Sequence, residues 1–219
     1  MDYGRLSGLI LRTMKSFLPT RATPCSFLAL VAATALLPVA AMGEALTRPI
    51  NLAFLARRAE IIVQGRVLET RHEGLPNYPN IRTVVVTLEV ERMWRGPEGK
   101  RYTFRQYVGP HGWRQAKAGY AAGERLLLFL PRPSSYGLSS PLGLEQGHFR
   151  IVRNRLGEDL IANQFGNLGL FKNVPETAER AGLRLDEAQL RVASTPRGAV
   201  PLRDFTSLVV RLMSLPRNE

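Results

Sequence analysis

Between Ile61 and Val152 the chain alternates between apolar and polar positions. Val84, Val86, Leu88 and Val90 are interleaved with Val85, Thr87, Glu89 and Glu91, the two-residue period of a strand with one face buried. The same period runs through Ile61, Val63, Gly65 and Val67, with Gln64 and Arg66 opposite, and through Tyr102, Phe104 and Gln106 in a stretch from Arg101 to Val108. Gly65 inside its strand predicts a bend or the close approach of a neighbour. Leu126 to Leu130 is an unbroken apolar run between Gly123 and Pro131, which predicts a strand buried on both sides. Gly147 to Val152 predicts a further strand with Phe149 and Ile151 inward, and a turn at 154–157 joins it to 159–162 as a hairpin. Residues 72–81 and 131–141 have the Gly, Pro, Asn and Ser content of loops.

The period lengthens at both ends of this region. Asn51 to Glu60 predicts a short helix with Leu52, Leu55 and Ala56 on one side. Pro175 to Ala181 has a proline in its first turn and Gly182 just past its end. Leu202, Phe205, Leu208, Val209 and Leu212 share one helical face between Pro201 and Pro216. Residues 183–196 have no decisive period. Five or six strands with a helix at each end predict a mainly β fold with flanking α-helices, built as a small, closed or nearly closed antiparallel barrel. The expected organisation is an export signal over 1–43, the barrel over 44–172 and a helical extension over 173–219 packed on it.

The first 43 residues are read separately because their pattern is that of a secretory signal. Met14, Lys15 and Arg21 supply a positive region, Ser26 to Leu37 an uncharged and mostly apolar core, and Pro38 a break before small residues. The core is too short to span a bilayer comfortably. Cleavage is expected before Met42 or Glu44, and Met14 is the expected start, since the stretch before it adds nothing to such a signal. The single cysteine, Cys25, lies inside this segment. The mature chain therefore has no thiol, which excludes disulfides, thiolate metal sites and cysteine nucleophiles together. The expected location is the periplasm or the extracellular space, with membrane contact only through the signal.

Charge adds a partner class. The 219 residues carry a formal net charge of +12, of which residues 1–43 hold +3 and the mature chain +9. Such an excess attracts acidic polymers. Of the 30 basic residues 26 are arginine, dispersed rather than packed into one run, which argues against nucleic acid.

The order of segments from residue 51 to about 153 is AEIIVQGRVLE, VVVTLEVERMWRG, YTFRQYVG, AGERLLLFL and LEQGHFRIV. It resembles the netrin-like domain, the OB-type barrel of tissue inhibitors of metalloproteinases and related secreted modules, and exported bacterial proteins with the same order. The resemblance implies a barrel and an extracytoplasmic setting. It does not imply protease inhibition, because those inhibitors use an N-terminal cysteine and disulfides that the mature chain lacks.

No catalytic signature emerges. His72, His111 and His148 are the only histidines; loops converging at one barrel end would let them share a zinc ion, but no pair has ligand spacing. Glu89 and Glu91 lie about 7 Å apart on one strand face, the arrangement of a solvated sheet surface. The serine pairs at 134–135 and 139–140 lack a nucleophile elbow, and residues 163–167 read as turn chemistry. The surface richest in chemistry is basic and aromatic: Arg92, Trp94 and Arg95, then Arg101, Arg105 and Tyr107, then Trp113 and Arg114 in the following loop. OB-type barrels bind oligosaccharides and oligonucleotides on such strand-and-loop faces, so Arg101, Arg105, Tyr107, Trp113 and Arg114 are the expected ligand platform. The expectation is an exported, non-enzymatic binding or accessory module without a cofactor, recognising an extracytoplasmic protein or acidic glycan. The alternative is an extracytoplasmic metal-dependent hydrolase using the three histidines.

Overall fold

The computed structural model describes residues 50–109 and 120–217. The expected export signal with Met14 and Cys25, and the residues His111, Trp113 and Arg114, lie outside the described residues.

Helix α1 (Leu52–Arg58) opens on Asn51, whose side chain accepts a hydrogen bond from the Phe54 N–H at 2.9 Å. Strands follow at β1 (Ile61–Leu75), β2 (Tyr78–Arg95), β3 (Arg101–Tyr107), β4 (Arg125–Leu130), β5 (His148–Arg153) and β6 (Asp159–Asn163). Then come α2 (Val174–Arg180), α3 (Glu187–Ala193), the two-residue β7 (Val200–Pro201) and α4 (Leu202–Leu212). All seven strands belong to one antiparallel sheet in the order β3-β2-β1-β4-β5-β6-β7. The fold is mainly β with flanking α.

The barrel, however, is not closed: β3 and β7 are the two ends of the sheet and do not pair with each other. The reason lies in the strands that are apolar on both sides. On β4, Leu126, Leu128 and Leu130 enter one core with Val63, Val84, Val86, Leu88 and Phe104. Leu127 and Phe129 enter another, with Ile62, Phe149, Ile161 and the helical residues Leu52, Leu55, Phe205, Leu208 and Leu212. A closed barrel buries one face of its strands against themselves. Here the second face also needs a cover, and the helices supply it. The β1–β3 end curls instead, and its outer edge is occupied by the segment after β4, where the Ser139 N–H donates to the Arg105 carbonyl at 2.8 Å. That contact blunts an otherwise open edge.

Two local expectations change. Residues 72–81 are the tip of a long β1–β2 hairpin, with only Pro76 and Asn77 in the turn and Asn77 at φ 66°. Their loop-like composition is tolerated because that tip is solvent-exposed and two-stranded. The helix α3 arises where no period was decisive; a reciprocal capping box starts it, Asp186 accepting from the Gln189 N–H at 2.8 Å and Gln189 from the Asp186 N–H at 3.0 Å. Gly65 behaves as its position requires: a Cβ there would collide with the Glu89 carbonyl oxygen, and the register slips beside it.

Candidate functional site

The apolar stripe of α4 is spent on the core: Phe205, Leu208, Val209 and Leu212 are all buried. Helical geometry then forces Arg203, Thr206, Ser207, Val210 and Arg211 onto the flank that faces the end of β2. Between that flank and β2 lies a cleft of about 510 Å³, walled on the far side by Arg92, Trp94 and Gln189. Its three charged residues are all arginines, and no carboxylate lines it. Among the described residues, none of Arg92, Arg203 and Arg211 takes part in an ion pair. The Arg92 guanidinium sits 5.6 Å from the Trp94 ring centre, within cation–π range, which holds its charge beside the cleft. Arg211 is steadied from its Nε, which donates to the Arg184 carbonyl at 3.0 Å. Neutral polar groups fill the floor. Gln189 Nε2 donates to Ser207 Oγ at 2.9 Å, while Thr206 and Ser214 hydroxyls donate to the carbonyls of Arg203 and Arg211.

A second cleft of about 720 Å³ shares Arg92, Arg203 and Thr206 with the first. Its carboxylates are Glu91, Glu158, Asp159 and Asp204, and Arg125 engages Glu91 and one oxygen of Asp159. Arg125 grips Glu91 through two hydrogen bonds of 2.8 and 2.9 Å and Asp159 at 2.7 Å, and Gln64 Nε2 donates to Glu91 at 2.6 Å. The Arg125 hydrogen bonds hold the Glu91 carboxyl below the usual carboxylate range against the opposing effect of burial. In return the Glu91 and Asp159 bonds push the Arg125 guanidinium up. Glu91 thus belongs to a bridge between β1, β2, β4 and β6, and not to a carboxylate pair with Glu89.

A buried polar cluster stands on the curled side of the sheet. His148 Nδ1 lies 2.6 Å from a Glu145 carboxylate oxygen, and the ring stacks on Tyr120 with centres 4.8 Å apart. The Tyr120 hydroxyl donates to Gln106 Oε1 at 2.7 Å, and Gln106 Nε2 donates to Glu145 at 3.4 Å. Burial pushes Glu145 up, but the His148 hydrogen bond and charge, with Gln106 and Arg150, hold it below its ordinary value. Burial and the nearby Glu145 push Tyr120 well up. Leu144 and Glu145 both have left-handed backbone, at φ 49° and 77°, the strained turn that swings Glu145 under the histidine. His148 Nε2 is buried and has no hydrogen-bond partner. That atom has no surface from which to reach a substrate, so the cluster as arranged secures Tyr120 against the sheet.

The residues singled out from sequence separate as follows. Arg101, Arg105 and Tyr107 fall on one face of β3, with Tyr102 and Phe104 in the core behind them. Arg101 and Tyr107 are exposed. Arg105 is engaged with Glu73 at 2.6 Å and with Thr83 Oγ1 at 2.8 Å. Trp113 and Arg114, which complete that platform, lie outside the described residues. His72 pairs in register with Val84 on the exposed hairpin, His148 is buried in β5, and His111 is outside the described residues. No group of three His, Cys, Asp or Glu side chains able to hold a metal ion occurs among the described residues.

Arg92 and Trp94 were visible as part of the basic and aromatic surface. Arg203 and Arg211 were not, although the apolar stripe of the last helix already dictated a complementary polar one. No family model and no curated protein matches the chain.

Proposed function

We propose that this protein is an exported, non-enzymatic module that binds an acidic polymer, and that the cleft between β2 and α4 is its binding surface. One observation carries the reading: Arg92, Arg203 and Arg211 converge on a single cleft with no carboxylate among its lining residues. Guanidinium groups are weakly hydrated and present paired donors suited to carboxylate, sulfate and phosphate. Three of them around one cleft favour an anionic ligand there, while Arg92 and Arg203 also border the neighbouring cleft with Glu91, Glu158, Asp159 and Asp204. The export signal and the netrin-like order of segments are part of the same reading, since both assign the work to an extracytoplasmic setting.

Retention on a heparin column tests it. The variant carrying Arg92→Ala, Arg203→Ala and Arg211→Ala is expected to elute at markedly lower salt than the parent. A second variant carrying Arg101→Ala, Arg105→Ala and Arg114→Ala addresses the β3 platform. Loss of retention in the second variant alone would move the binding surface to β3; no change in either would end the polymer reading.

A further inference from the structure

Resting on the reading of the first cleft as an acidic-polymer site, we infer that an acidic chain bound there ends or leaves the groove at Arg203, and that Asp204 is the residue that turns it away. The two clefts share Arg92, Arg203 and Thr206 and follow one another along the same two walls. On β2 the second cleft is bordered by Glu91 and Arg92, and the first by Arg92 and Trp94. On α4 the second begins at Leu202, and the first runs on to Arg211. Both walls therefore pass from one cleft to the other in sequence order, and together they make one groove. Its charge changes sign on the way. The first cleft has three arginines and no carboxylate, whereas the second sets four carboxylates against the two arginines it shares.

The carboxylates of the second cleft are not equivalent. Arg125 and Gln64 hold Glu91, Arg125 holds one oxygen of Asp159, and Asn154 Nδ2 donates to Glu158 at 2.8 Å. Asp204 takes part in no ion pair among the described residues. It is partly buried and follows Arg203 directly in the first turn of α4. A second anion brought beside such a carboxylate is repelled, and a repulsive group sets specificity as an attractive one does. An acidic chain therefore gains from Arg211, Arg92 and Arg203 and loses by advancing past them. Once the first cleft is covered, further acidic units along the groove add repulsion and no new cation.

Titration calorimetry of the full protein with a heparin tetrasaccharide and a heparin dodecasaccharide tests the inference. Asp204→Asn is expected to raise the affinity for the dodecasaccharide about 3-fold and to leave that for the tetrasaccharide within about 1.5-fold of the parent. Glu69→Gln removes the same charge from a residue of neither cleft and is expected to change neither affinity. In the background of Arg92→Ala, Arg203→Ala and Arg211→Ala the gain from Asp204→Asn is expected to vanish. The inference would be overturned by no gain with the longer chain, by an equal gain with both chains or from Glu69→Gln, or by a gain that survives loss of the three arginines. Each of these leaves the acidic-polymer reading to its own test. Absence of binding of both fragments to the parent and to Asp204→Asn would overturn the two together. Asp204 stands where a carboxylate favours the helix dipole, so thermal unfolding accompanies each titration. An affinity gain at an unchanged midpoint excludes a change of fold as its cause.

Discussion

The two faces of the sheet are sealed by different physics. The helix-covered face is apolar and aromatic: Phe149 meets Phe129 and Phe205 with ring centres 5.7 and 5.1 Å apart, and Phe171 closes on Phe205 at 6.3 Å. The curled face has a mainly aliphatic floor with its own aromatic group, Phe104 lying 6.3 Å from Tyr102 and 5.6 Å from Tyr120 between ring centres, but its rim is fastened by polar groups, through Tyr120, Gln106, Glu145 and His148. The first face gains its stability from area removed from water and tolerates little loss of volume. The second depends on hydrogen-bond partners and charge, so it responds to pH. Neither face supplies the candidate binding surface. That surface comes from the margin, where the helical cover ends and α4 leaves a charged flank beside β2.

Truncating the aromatic seal is expected to cost most. Phe205→Ala removes a fully buried ring that touches two others and should destabilise by about 3–5 kcal/mol in urea unfolding. A cost under about 1 kcal/mol would mean that the helices do not form a continuous core with the sheet. On the curled face the backbone itself is the tight point. Gly65→Val drives a side chain into the Glu89 carbonyl and should cost about 3 kcal/mol by the same measurement.

Glu145→Gln sharpens the contrast through pH. The folded carboxyl is held below its ordinary value, so the unfolded chain binds the proton more readily. Its contribution is present above the ordinary carboxylate range and is lost as pH falls through the lowered folded value. The variant should lose about 1–2 kcal/mol at neutral pH, and its stability should fall less steeply into acid than the parent's. Glu91, shifted the same way by Arg125, keeps the residual slope from vanishing. The smallest effect belongs to the margin: Arg203→Ala and Arg211→Ala should each change stability by no more than about 0.5 kcal/mol, since both side chains are exposed and in no ion pair among the described residues.

Much of the fold was legible because burial writes itself as a period. The alternation around Val84–Val90, the run Leu126–Leu130 and the stripe Phe205–Leu212 each identified an element and its buried side. The double burial of β4 was visible as an unbroken run. Closure was not legible. Alternation says which side chains share a face, but not whether the sheet meets itself or is covered by something else, and that choice depends on helices such as α3 whose seven residues are too few to show a period. The Asp186 and Gln189 pair was the usable signal there. Asn167 is a comparable case: the stretch 163–167 was read as turn chemistry, and this side chain is in addition fully buried, donating to the carbonyls of Ile161 and Gly198 at 3.1 and 2.9 Å. Local turn chemistry and long-range cross-linking use the same amide, and sequence spacing cannot separate them. The cleft was half legible, through Arg92 and Trp94. Its other half needed the packing of α4 beside β2.

The chain's two tryptophans allow the binding surface to be read directly. Trp94 lines the cleft, and Trp113 belongs to the alternative platform after β3. With Trp113→Phe, the remaining indole is Trp94, and titration with a soluble heparin fragment should change its emission in a saturating transition. With Trp94→Phe, the same titration should leave the emission of Trp113 flat. A response from Trp113 alone would contradict the assignment of binding to the cleft between β2 and α4.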